Sequence, residues 1–210
     1  MQLLHREFYQ RNNVVQIAQE LIGKLLITKF DGVITSGRIV ETEAYAGKTD
    51  KASHAYNGRR TNRNTMMYYD GGVSYIYICY GMHTLFNVVT NTSDVPDAVL
   101  IRGIEPMDGL TIMLERCKKS TPHPTIGRGP GNSGKALGFH LYHNGLPLSG
   151  KEIGIYDDAF PVKSIHSSKR IGVDYAGDDA NLPYRFFIPG HLQVTQHANN
   201  KSAKAAALTV

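Results

Sequence analysis

The chain has 210 residues, a net charge of +5, 9% aromatic residues and two cysteines, Cys79 and Cys117. That length suits one domain, residues 1–210, and the modest positive excess fits a nucleic-acid partner. Two thiols are too few for a disulfide framework or a cysteine-based zinc site; with no signal pattern and no apolar run of about 18 residues, secretion and membrane spanning are unsupported, and a cytoplasmic, nucleoid-associated or nuclear protein is expected.

Asn12-Asn13 can cap a helix whose apolar positions are Val14, Ile17, Ala18, Leu21 and Ile22, with Gly23 as its C′ residue. Leu25 to Thr28 reads as a strand, and Asp31-Gly32 is a hairpin signal leading through Val33-Ile34 into Val40-Glu41-Thr42-Glu43-Ala44-Tyr45. In that stretch Val40, Thr42 and Ala44 alternate with Glu41, Glu43 and Tyr45, so a strand would line one face with two carboxylates and an aromatic ring. Glu-x-Glu most often marks a solvated face. A carboxylate beside an aromatic ring can instead serve as a base.

His54 follows, and then the loop Asn57-Gly58-Arg59-Arg60-Thr61-Asn62-Arg63-Asn64, with three arginines and no acid. Forked Arg donors and short hydroxyl and amide side chains suit phosphate oxygens. Tyr75 to Tyr80 and Thr84 to Thr90 are β-prone runs flanking Gly81, which gives a hairpin with its tip near Tyr80 to His83. Tyr75, Tyr77 and Cys79 share one face of it, and Cys79 is expected to be a buried thiol. Tyr and Met at a tip are unusual, because turns favour small polar residues. The tip either packs into a core or forms an apolar wedge that enters a base stack.

Val99-Leu100-Ile101 ends at Arg102 as a buried strand closed by Pro106, and Leu110, Met113, Leu114 and Cys117 mark a short amphipathic helix. Ser120 to Pro130 reads as a polar loop. Gly129-Pro130-Gly131-Asn132-Ser133-Gly134-Lys135-Ala136 fits a phosphate-binding P-loop until its eighth place, where Ala136 replaces Ser or Thr. A Gly-rich turn that starts a helix around Ala136-Leu137 explains it better. His140 and His143, with no third ligand nearby, read as a surface pair rather than a metal site. Ala198 to Val210 reads as a frayed helix or a flexible tail.

The segments Arg38 to Tyr45, His54, Arg59 to Asn64 and Tyr77 to Met82 with Asn87 together resemble the alkyladenine (3-methyladenine) DNA glycosylase family. So do Val99 to Pro106, Gly129 to Gly138, Arg170 to Gly177 and Tyr184 to Ile188, in the family's order. One departure is Asn132, where the family often has Lys after Gly-Pro-Gly.

The resemblance implies an α+β fold: a single domain with a mainly antiparallel curved sheet flanked by helices and a protruding hairpin that intercalates DNA. It implies excision of damaged purines from double-stranded DNA by a monomeric, monofunctional enzyme without cofactor or metal. Glu43 would be the base that activates water, and Arg102, with the backbone carbonyl near Ile153, would position that water. Tyr45, His54 and Tyr77 would form the base pocket, with Asn87 disfavouring guanine. Tyr80 and Met82 would intercalate, and Arg59, Thr61, Arg63 and Lys135 would contact phosphates. The chemistry agrees, since a flipped cationic base would stack on aromatic faces and a carboxylate would stabilise an oxocarbenium-like sugar. The rival reading is a non-catalytic nucleic-acid-binding module, which needs no carboxylate at Glu43.

Overall fold

The computed structural model describes residues 1–206. In chain order the elements are β1 (Gln2–Leu3), α1 (Arg6–Tyr9), α2 (Val14–Glu20), β2 (Leu25–Phe30), β3 (Val33–Tyr45), β4 (Ser74–Cys79), β5 (His83–Thr90), β6 (Asp97–Pro106), α3 (Leu110–Cys117), α4 (Pro130–Ala136), β7 (Ile153–Asp157), β8 (His166–Ser168), β9 (Arg185–Phe187) and β10 (Lys204–Ala205). The strands form one antiparallel sheet in the order β1-β7-β2-β3-β6-β5-β4, with β9, β8 and β10 branching from β3. The segment after α4 reaches both β4 and β7: Ser74 N–H donates to Leu146 O, Leu148 N–H to Gly72 O and Gly150 N–H to Ile153 O. A sheet spanned in this way must curl.

Local chemistry accounts for the first elements. The Asn13 side chain accepts from the Gln16 amide at 3.0 Å and caps α2. The helix stops at Glu20, so Leu21 and Ile22 fall in the following turn, and Gly23 (φ +86°), expected at C′, lies one place further on. Asp31 and Gly32 both take positive φ, as a two-residue hairpin turn requires, and pair Phe30 with Val33.

The main core lies between one face of the sheet and the helices: Ile17, Leu21, Ile39, Phe86, Val99, Ile101, Ile104, Met113 and Leu137 are packed together there. Period-two alternation then sends Tyr45, Glu43, Leu100, Arg102, Asn87, Tyr75 and Tyr77 to the other face. The ladder aligns Glu43 with Leu100, Leu100 with Asn87 and Asn87 with Tyr75, a row across four strands.

Three expectations change. The Gly-rich segment does not precede a helix at Ala136; it is α4, begun by Pro130 in the first turn. A Cβ on Gly134 would lie 2.1 Å from Thr84 O and one on Gly131 2.8 Å from His83, so these glycines let α4 press against β5. Close packing, not a phosphate cradle, explains the P-loop likeness. His143 is not a surface residue: it is buried and its ring stacks on Phe30 at 3.6 Å. The C-terminal stretch is tied down as far as it is described, since Lys204 and Ala205 pair with β8 and Asn200 accepts from Arg185 at 2.8 Å. The rest of the expected tail, 207–210, lies outside the described residues.

Candidate active site

A cavity of about 480 Å³ opens on the face opposite the helices. Tyr45, His54, Tyr77, Asn87 and Arg102 line it, with Arg63, Tyr75, Leu85, Cys79 and Leu100. Cys79 is thus half-buried at a cavity wall rather than in a core. A further part of the wall comes from Ile171, Gly172, Val173 and Tyr175, which no periodicity in the sequence marked. Only their place in Arg170 to Gly177, one of the segments that carry the family resemblance, offered a signal.

The two glutamates of β3 behave differently. Glu41 is fully buried. Its Oε1 accepts from Arg102 Nε at 3.0 Å and Arg185 Nε at 2.7 Å, and its Oε2 from the Thr195 amide and hydroxyl at 2.9 and 2.8 Å. A carboxylate offers about four lone-pair sites, and Glu41 has filled them. Burial pushes its pKa up, but Arg102, Arg185 and the Thr195 amide outweigh this and bring it below the ordinary range.

Glu43 is also 0% exposed. Its Oε2 accepts from the Tyr45 hydroxyl at 2.9 Å and Arg102 Nη1 at 3.2 Å, and its Oε1 from the Ile171 amide at 2.8 Å. One site on Oε1 is left open. Glu43 lies directly behind Tyr45, Arg102 and Ile171, all of which line the cavity.

The backbone puts Arg102 between the two carboxylates. Ile39 pairs with Ile104, Glu41 with Gly103 and Thr42 with Ile101, which leaves Val40 and Arg102 as extra residues on their strands. Bulges re-aim side chains and gather near functional sites. Ser133 of α4 ties the bulge from behind, its hydroxyl 3.1 Å from Arg102 O. Burial works against the Arg102 charge, yet Glu43 and Glu41 outweigh it and raise its pKa.

His54 shares a hydrogen bond of 2.8 Å with the Tyr75 hydroxyl and meets Tyr77 edge-on at 4.7 Å. Burial first, and then Arg63 and Arg59, lower its pKa to about 4. His54 is therefore neutral at pH 7 and is not a ready proton source. Asn87 is buried and donates to Tyr75 O at 3.0 Å, which fixes its side chain in the wall.

At the cavity's edge, where Tyr80 also lines it, β4 pairs antiparallel with β5, Cys79 opposite His83, and Tyr80, Gly81 and Met82 connect them. Tyr80 is 87% exposed and Met82 75%. Tyr80 is not a core residue, and it holds φ +50° next to Gly81 at +70°.

The basic loop is exposed beside the cavity. Arg63 places its guanidinium 5.0 Å from the centre of the Tyr77 ring, and Arg59 and Thr61 line an adjoining hollow with Lys51 and Tyr175. The loop itself holds no acid, but Asp94 from outside it pairs with Arg60 at 3.3 Å. Lys135 sits exposed in the last turn of α4, near Cys117, and does not line the cavity.

Ile153 is not at the site. It belongs to β7, its side chain is in the main core, and its carbonyl accepts from the Gly150 amide. Pairing with β2 carries it away from β4, β5 and β6. Among the described residues no group of three His, Cys, Asp or Glu is arranged to hold a metal ion, and no helix is long and apolar enough to cross a membrane.

Known proteins resemble this chain along nearly its whole length. The family model for methylpurine-DNA glycosylase matches residues 7–192. Three bacterial proteins, each provisionally named a 3-methyladenine DNA glycosylase, align with it. That of Chlamydia felis is 45% identical over 89% of this chain and 96% of its own length. That of Clostridium perfringens strain 13 is 44% identical over 88% and 95%. That of Desulfitobacterium hafniense is 41% identical over 90% and 96%. The chain therefore belongs to the methylpurine-DNA glycosylase family of DNA-repair enzymes.

Proposed function

We propose that this chain, acting as a monomer, turns alkylated or deaminated purines out of duplex DNA and hydrolyses their N-glycosidic bond. The substrates are of the 3-methyladenine, 7-methylguanine, hypoxanthine and ethenoadenine class. The observation that carries the reading is the single open acceptor site on Glu43 Oε1, beside a cavity walled by tyrosines.

A base inside a duplex is out of reach, so the nucleotide must be extruded. Tyr80 and Met82, exposed at the β4–β5 connection, would fill the vacated stack. Tyr45, Tyr77 and His54 would hold the base, with Asn87 fixed beside it. Water hydrogen-bonded to Glu43 Oε1 would attack the sugar C1′. Glu43 takes its proton, the C1′–N bond breaks, and the bonding pair leaves with the base. A cationic alkylated base departs neutral, a neutral one such as hypoxanthine departs as its anion and takes a proton from solvent, and an abasic site remains. Arg102 would orient the carboxylate and the water. The carbonyl partner for that water would come from Ile171 to Val173 rather than Ile153. No lysine among the described residues lines the cavity, in keeping with hydrolysis instead of a Schiff-base step.

A non-catalytic binding module would have no use for a buried carboxylate with an unfilled acceptor behind the base cavity. The test is Glu43→Gln, which keeps the shape and cannot take a proton. Single-turnover base release should fall roughly 10²–10⁴-fold while lesion-duplex affinity stays near wild type. Excision within a few-fold of wild type would defeat the assignment.

A further inference from the structure

We infer that Tyr45 is a positioning residue for catalysis as well as a cavity wall, its hydroxyl fixing the direction in which Glu43 presents its open oxygen. The inference rests on Glu43 being the base.

The terminal torsion of a glutamate is broad and roughly two-fold, so burial alone does not set its carboxylate plane. Ile171 fixes Oε1 from 2.8 Å. On Oε2 the shorter contact is Tyr45, at 2.9 Å, against 3.2 Å for Arg102. Arg102 is also divided, since its Nε serves Glu41 at 3.0 Å. The Tyr45 hydroxyl therefore pins Oε2 and stops the rotation that would turn the open site of Oε1 away. Burial, and then the Glu43 charge, push the Tyr45 pKa well up, so this group remains a donor.

The ring is itself held. The Arg170 guanidinium stands 4.8 Å from its centre. Arg170 is locked by two bonds to Asp50, one of them 2.8 Å, and donates at 2.9 Å to Ala44 O, between Glu43 and Tyr45. A base stacked on the free face of Tyr45 would steady the same ring whose hydroxyl steadies the carboxylate. Occupancy of the pocket and alignment of the base catalyst are thereby joined through one side chain.

The other charged or titratable groups around Glu43 are Arg102 on β6, Arg185 opposite it on β9, Arg170, Glu41 on its own strand, and the hydroxyls of Tyr77 and Tyr175. The Arg185 Nε is committed to Glu41, and Tyr45 is the neutral side chain that donates to Glu43.

Tyr45→Phe keeps the ring and removes the donor. Lesion-duplex affinity should stay within about twofold, and single-turnover excision should fall roughly tenfold, since hydrogen bonds to charged groups are worth more than neutral ones. In a Glu43→Gln background Tyr45→Phe should add nothing. Rates are taken with all lesion duplex bound, so a smaller folded fraction does not imitate the effect. An unchanged rate for Tyr45→Phe, beside an inactive Glu43→Gln, would overturn the inference alone. Affinity lost in step with rate would reduce Tyr45 to a wall. An active Glu43→Gln would instead remove the underlying reading.

Discussion

Two carboxylates two residues apart on one strand are left in different states by their hydrogen-bond partners. Glu41 is saturated by Arg102, Arg185 and Thr195, whereas Glu43 keeps one acceptor site. Removing the charge of Glu41 would leave two buried guanidinium groups short of a counter-charge, so Glu41→Gln should cost about 3–5 kcal/mol of stability. Denaturant titration checks this, and a loss below about 1 kcal/mol would show the ion cluster to be dispensable. The sign with pH follows from the depressed Glu41 pKa. Its contribution is present above the unfolded-state value near 4.3 and is lost as pH falls below it through the folded value. The stability gap between wild type and Glu41→Gln should accordingly be full at neutral pH and close in acid. His54 adds acid sensitivity of the same sign: with a folded value of about 4, the unfolded chain takes up its proton first as pH falls below the ordinary histidine range.

The β4–β5 connection shows strain kept at an element tip. A hairpin turn with positive φ at both central residues favours Asn, Asp or Gly, and a bulky residue there is costly by roughly 1–2 kcal/mol. Tyr80 nonetheless holds φ +50° with its ring in solvent, where it contributes nothing to the core. Such outliers persist where function requires them. Tyr80→Gly should leave the fold intact or raise stability by up to about 1 kcal/mol, while weakening lesion-duplex binding by roughly one to two decades, the scale of one missing base–aromatic stack. Calorimetry paired with a fluorescent base-analogue assay reads both. Marked destabilisation with normal flipping would mean that the ring serves packing. The same element scale explains α4: its glycines permit close approach to β5, and its Ser133 steadies the Arg102 bulge.

Over the whole molecule, positive charge gathers beside the cavity. Arg59 and Arg63 have no carboxylate partner there among the ion pairs of the described residues, while Arg60 is paired with Asp94 and rests over Tyr68 at 4.7 Å. Removing one phosphate-binding arginine should lower the magnitude of the log–log salt slope by about 1. Arg59→Ala and Arg63→Ala should each show that change, and Arg60→Ala a smaller one. Equal slopes for all three variants and wild type would make the loop a solvated surface.

The sequence by itself determined what depends on near neighbours. The Asn13 cap, the Asp31-Gly32 turn and the alternation that puts Glu41, Glu43 and Tyr45 on one face of their strand, and Tyr75, Tyr77 and Cys79 on one face of theirs, are set within a few residues. Likeness to a family added the roles expected of them. Only the tertiary structure decided which glutamate keeps an open acceptor site, because Arg185, Thr195 and Ile171 come from distant segments to fill the others. It likewise sent Ile153 to the core through pairing of β7 with β2, brought Asp94 to Arg60, and docked Lys204 and Ala205 on β8. A local period fixes the face on which a side chain stands. What meets it on that face is set by strand order and by segments more than a hundred residues away, which no period encodes.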